Sequence, residues 1–190
     1  MVSNKVYVNN KGIGRDQALS EVERMTDYLN LSYKSKMHIR LLTEEMLGMV
    51  SELGGDFNAE FWAEHEGGVC RLCLEADVVK MSTEKRDALI GVSTSGKNAA
   101  EKGAAKGIRG KLKDLVKTYW LSGADRSEKA DDSSMHWSLS DYKGDIERQK
   151  DSGKAEEWDE LEKSIVAKIA DDVSVGVKGD TVEFIITKSI

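Results

Sequence analysis

Two alternating runs, Phe57 to Glu66 and Val69 to Lys80, flank Gly67-Gly68 and constrain this chain more than any other feature. A two-residue glycine connection between runs of period two is the pattern of a tight β-hairpin. In the second run Cys70, Leu72, Leu74, Ala76 and Val78 share one face, while Arg71, Glu75 and Asp77 lie opposite. Such a strand buries one side and shows the other to water. The chain closes on a second hairpin, with strands expected over 172–178 and 181–188, and a short strand over 5–9 alternates around Val6 and Val8. Proline is absent, so turns rely on Gly, Asn and Asp.

Between these strands the period changes to that of helices. Ala18, Val22, Met25 and Leu29 form the apolar side of a helix over 16–29, with Glu21, Glu23, Arg24 and Asp27 on the other side. A second helix over 34–53 carries Ile39, Leu42, Met46, Met49, Val50 and Leu53 on one stripe. A short helix is expected from Ser82 to Ile90, a glycine-rich mobile loop over 91–110, and helical pattern again from Leu112 to Trp120. Residues 122–153 are polar and read as an insertion into the single domain 1–190, anchored by Trp137 and Leu139. A last helix, 158–169, precedes the closing hairpin. Hairpins in place of βαβ alternation predict an α+β fold, a two-layer α/β sandwich whose mixed or antiparallel sheet is covered on one face by helices.

The net charge of −6 argues against a nonspecific nucleic-acid binder. No apolar run is long enough to span a bilayer and no signal core opens the chain, so the expectation is a cytoplasmic protein with neither nucleic-acid nor membrane partners. Cys70 and Cys73 form a C-x-x-C, but residues three apart on a strand point to opposite faces, and His38, His65 and His136 are far apart in sequence. Ordinary strand cysteines and no metal site are expected.

Gly91-Val-Ser-Thr-Ser-Gly96-Lys97-Asn98 comes within one residue of a phosphate-cradling loop, with Asn98 where a hydroxyl would ligate Mg²⁺. The segment lacks a clear preceding strand and on its own reads as a flexible loop. Glu44 and Glu45, as an isolated pair, read as exposed helix charges.

Three stretches resemble the GHKL superfamily, the histidine-kinase-like ATP-binding domains of sensor kinases and anti-sigma-factor kinases. Thr43-Glu44-Glu-Met-Leu-Gly48-Met-Val50 is similar to the helix known as the N-box, Gly103-Ala-Ala-Lys106-Gly107-Ile-Arg109-Gly110-Lys-Leu112 to the second glycine box, and 167–187 to the terminal helix and hairpin of the anti-sigma members. The resemblance implies a nucleotide site with Glu44 as water-orienting base, Asp77 reading adenine, and Lys97, Lys106, Gly107, Arg109 and Gly110 at the phosphates. The family's Mg²⁺-holding Asn is Gly48 here, and Val78 to Met81 replace the glycines that would follow Asp77. ATP is thus the implied cofactor, Mg²⁺ is disfavoured, and weak or lost nucleotide binding is expected. The functional expectation is a regulatory protein with a protein partner, a homodimer being kept open. A non-enzymatic interaction module on the same fold is the alternative, and an ATPase or protein kinase is what the fold would support if active. Lys97, Lys102, Lys106, Arg109, Lys111 and Lys113 could meet a triphosphate, an acidic protein surface, or only solvent.

Overall fold

The computed structural model describes residues 1–52, 57–78, 135–148, 164–178 and 181–190. The expected helices at 82–90 and 112–120, the loop 91–110, the near-phosphate loop and the first part of the last helix lie outside the described residues. The elements in chain order are β1 (Val6–Asn9), α1 (Arg15–Tyr28), α2 (Tyr33–Glu52), β2 (Phe57–Glu66), β3 (Val69–Val78), β4 (Met135–Ser138), α3 (Leu139–Arg148), α4 (Ile165–Ile169), β5 (Asp172–Lys178) and β6 (Thr181–Ser189).

The six strands form one sheet in the order β1-β2-β3-β6-β5-β4, and every pairing is antiparallel. Both expected hairpins are present, and Gly67 and Gly68 both have positive φ, as a primed two-residue turn requires. The register aligns Val6, Phe61, Leu74, Phe184 and Val175 across five strands. All five are buried, as are Val8, Ala63, Cys70, Leu72, Val182, Ile186 and Val173 on the same face. Helices cover this face: α1 lies along β1 and β2, α2 along β3 and β6, and α3 along β4 and β5. The α2 residues Ile39, Leu42, Met46 and Met49 complete the core.

The other face carries Lys5, Tyr7, Glu60, Trp62, Glu75 and Glu183, all exposed except the half-buried Trp62. Lys5 pairs with Glu60 at 2.8 Å and sits 4.6 Å from the Trp62 ring centre. Cys73 is on this face and Cys70 on the helix-covered one, as the strand period requires. Burial pushes both thiols up to about 12, and neither is in a disulfide.

Two expectations need correction. The insertion 122–153 is not only polar surface: Met135–Ser138 is a strand of the sheet paired with β5, followed by ten residues of α3. Leu139 is fully buried and Trp137 packs against Tyr142 at 6.0 Å, so the expected anchors hold a larger structured piece. Helical spacing puts Glu21 on the polar side of α1, yet it is only 6% exposed. It lies three residues from Ala18 and four from Met25, on the edge of the buried stripe, where residues 1–4 cover it.

Local chemistry sets the ends of the elements. Asn9 Oδ1 accepts from the amides of Lys11 and Ile13, which turns the chain after β1. Ser32 Oγ accepts from Ser35 N at 3.1 Å and caps α2, and Ser164 Oγ does the same for α4 through Ala167 N. Asp171 ties the start of β5 to β6. Partial burial pushes its carboxyl up, but hydrogen bonds from Lys188 and from Ser189 outweigh this and hold it at about 2.

Because that value is below the ordinary one near 4, the Asp171 contribution is fully present above about pH 4 and is lost as pH falls towards about 2. The pair is partly exposed, so roughly 1 kcal/mol or less is expected. Thermal melts of Asp171→Asn and wild type should differ at pH 6 and converge near pH 2; a gap that stays constant across that range would contradict the assignment.

Candidate functional site

The sequence points to α2, the end of β3 and the segment 91–111 as one site. Of these, α2 and β3 are described, while Lys97, Lys102, Lys106, Gly107, Arg109 and Gly110 lie outside the described residues.

On α2, Glu44 is at the margin of the buried stripe, its side chain one-third exposed. Arg40, one turn earlier, donates to Glu44 from Nε at 3.1 Å and also pairs with Glu23 of α1 through its second nitrogen. Glu44 is therefore part of a charge bridge between the two helices, beside the Lys36–Asp27 pair at 2.5 Å. A carboxylate used in this way is poorly placed to orient a water, since one of its oxygens is already engaged by the guanidinium. The Arg40–Glu44 spacing of four residues was visible in the sequence as an ordinary helix ion pair.

Gly48 follows Glu44 by one turn on α2 and offers no side-chain oxygen. Thr43 is fully buried, and its hydroxyl is used on the Ile39 carbonyl at 2.9 Å. Among the described residues no group of three or more His, Cys, Asp or Glu could hold a metal ion. The residues present on α2 thus do not fit a bound Mg²⁺.

Asp77 stands near the end of β3, paired in register with Asn58 and Thr181. It holds the same alternate position as Cys73 and Glu75, whereas α2 packs on the side of Leu74 and Ala76. Glu44 is therefore on a helix that covers one face of the sheet, while Asp77 holds a register position of the other face.

One arrangement was missed in the sequence. A cleft of about 240 Å³ opens between residues 1–4 and α1, with Glu21 and Met25 in its wall. Asn4 donates to both Glu21 oxygens, at 3.3 and 3.2 Å, and Arg24 donates to Oε1 at 2.9 Å. The signal available beforehand was the position of Glu21 between Ala18 and Met25 at helical spacing.

No helix among the described residues is long and apolar enough to cross a membrane. No protein-family model, curated protein or solved structure matches this chain.

Proposed function

We propose that this chain is a regulatory protein of histidine-kinase-like architecture that works through contact with a protein partner, its nucleotide binding weak or lost. The observation that carries this reading is the state of Glu44, tied into the α1–α2 bridge by Arg40, with Gly48 one turn further on. Orienting a water for attack on a phosphate needs a free carboxylate and a held metal. The antiparallel sheet with helices on one face is compatible with the resemblance. Tyr28 and Tyr33, 79% and 80% exposed at the two sides of the α1–α2 turn, supply apolar surface for a partner.

Isothermal titration with ATP tests the nucleotide half of the proposal. The wild type should bind weakly, and Mg²⁺ should change the affinity by less than about tenfold, ~1.4 kcal/mol. Phosphate release should stay at the level of buffer. Tight Mg²⁺-dependent binding with steady hydrolysis that is lost in Glu44→Ala would replace this reading with an active ATPase. Absence of any binding, in the wild type and in Gly48→Asn, would favour the purely non-enzymatic interaction module.

A further inference from the structure

On the sheet face opposite the helices, the register sets side chains in rows that run across the strands. One row is Glu60, Glu75 and Glu183, directly opposite one another on β2, β3 and β6, and all three are exposed. The next row is Trp62, Cys73 and Ile185 on the same strands, apolar and half-buried or buried. Like charges directly opposite on neighbouring strands destabilise a sheet, and glutamate is a poor strand residue. Protection of a sheet edge, a common reason for charge on a strand, does not account for this row, because β3 and β6 are the two central strands.

Of the three carboxylates, only Glu60 has a cation among the described residues. Lys5 lies 2.8 Å from Glu60 Oε2 and 4.6 Å from the Trp62 ring centre, so a single ammonium uses both rows at once. The hydrogen bond to Glu60, and the charges of Glu60 and Glu75, hold this ammonium above its ordinary value against desolvation. Glu75 and Glu183 border the apolar row in the same way with no such partner among the described residues; Arg71 is in register with Glu64, beyond that row. An anionic partner would be repelled by the glutamates, and a wholly apolar one would bury Glu75 and Glu183 unserved. Cations along one line with hydrocarbon along the next satisfy both rows. Neighbouring strands are about 4.8 Å apart, and residues three and four apart on a helix are separated along its axis by about 4.5 and 6 Å. In an extended segment, side chains of one side are about 6.7 Å apart and the alternate ones point away, so it matches neither row.

We propose that this face is a docking surface for a basic amphipathic helix of a protein partner, lying across β2, β3 and β6 with lysine or arginine side chains on Glu75 and Glu183 and apolar side chains on Trp62 and Ile185. Charge complementarity and the spacing of the two rows select this occupant. The docking surface rests on the partner half of the proposed function and is independent of the nucleotide half.

The probe is a synthetic helical peptide of about 14 residues, ~21 Å long, with a lysine stripe beside a leucine stripe, matched against the same peptide carrying glutamate for lysine. In two-dimensional amide NMR titrations of the whole chain, the lysine peptide should shift the amides of Trp62, Glu75, Glu183 and Ile185, and the glutamate peptide should not. Glu75→Gln combined with Glu183→Gln should weaken binding by about tenfold or more. Asp16→Asn combined with Glu147→Gln, an equal charge change at exposed helix positions, should alter it by less than about twofold, since distant exposed charges are screened. In urea the Glu75/Glu183 double variant should be at least as stable as wild type, because opposed like charges are removed. Clear destabilisation by that pair would assign the glutamates to the fold and overturn the proposal, as would equal weakening by the two double variants, binding of the glutamate peptide, or no binding at all. Shifts confined to Tyr28 and Tyr33 would overturn it too while leaving the partner reading in place, and the ATP titration decides the nucleotide half separately.

Discussion

Phe61→Ala is expected to destabilise the protein by about 3–5 kcal/mol, as large-to-small changes of aromatic residues in close-packed cores do. Phe61 is fully buried at the centre of β2, paired in register with Val6 on one side and Leu74 on the other. Removing its ring leaves a void beneath the helices, where strands joined on both sides have little freedom to close it. Against a total stability of roughly 5–15 kcal/mol the loss is large. Urea unfolding should show a lower midpoint at unchanged slope. Tyr7→Ala on the opposite face, 52% exposed, is the control, with about 1 kcal/mol expected for its hydroxyl bond to Asn58 and its partial packing. Similar losses for the two variants would mean that the helix-covered face is not the core.

Gly14→Ala should be the second large effect, and it separates steric from torsional cost. Gly14 precedes α1 with φ of +78°, and a Cβ built there would lie 1.9 Å from the Tyr7 carbonyl oxygen. Left-handed backbone alone costs a non-glycine residue roughly 1–3 kcal/mol. Gly67 in the β2–β3 turn has φ of +58° with nothing within 4 Å of the same position, so Gly67→Ala carries the torsional part only. Gly14→Ala must also push the loop off β1, and a loss clearly beyond that of Gly67→Ala is expected in the same urea experiment. Equal losses would show that the close approach to Tyr7 relaxes freely.

These contrasts also show which parts of the fold could be read beforehand. Alternation in 69–78, broken only at Val69 and Cys73, next to two glycines leaves few alternatives to a half-buried hairpin strand, and the structure has it. A strand of four residues such as Met135–Ser138 holds too few side chains to show a period, and the charged sequence around it concealed the edge of the sheet. Burial of Glu21 depends on residues 1–4 folding over α1, a long-range contact that helical spacing does not contain. The candidate site is similar. Glu44 could be placed on a helix from its neighbours, but its role turns on Arg40 reaching both Glu44 and Glu23, and the partner helix sets that geometry.

The central pairing of the sheet joins β3 to β6, residues 69–77 to residues 181–189. During synthesis β3 is therefore finished long before the strand that covers its free edge exists. At 5–20 residues per second the interval between Val78 and Ser189 is roughly 6–22 s. Throughout it the nascent N-terminal half exposes a ten-residue, valine- and leucine-bearing strand edge of the kind that recruits other chains. The fold thus places its greatest vulnerability in time as well as in space, and yield in a cell should respond to translation speed and to holding chaperones more than the stability of the finished sheet would suggest.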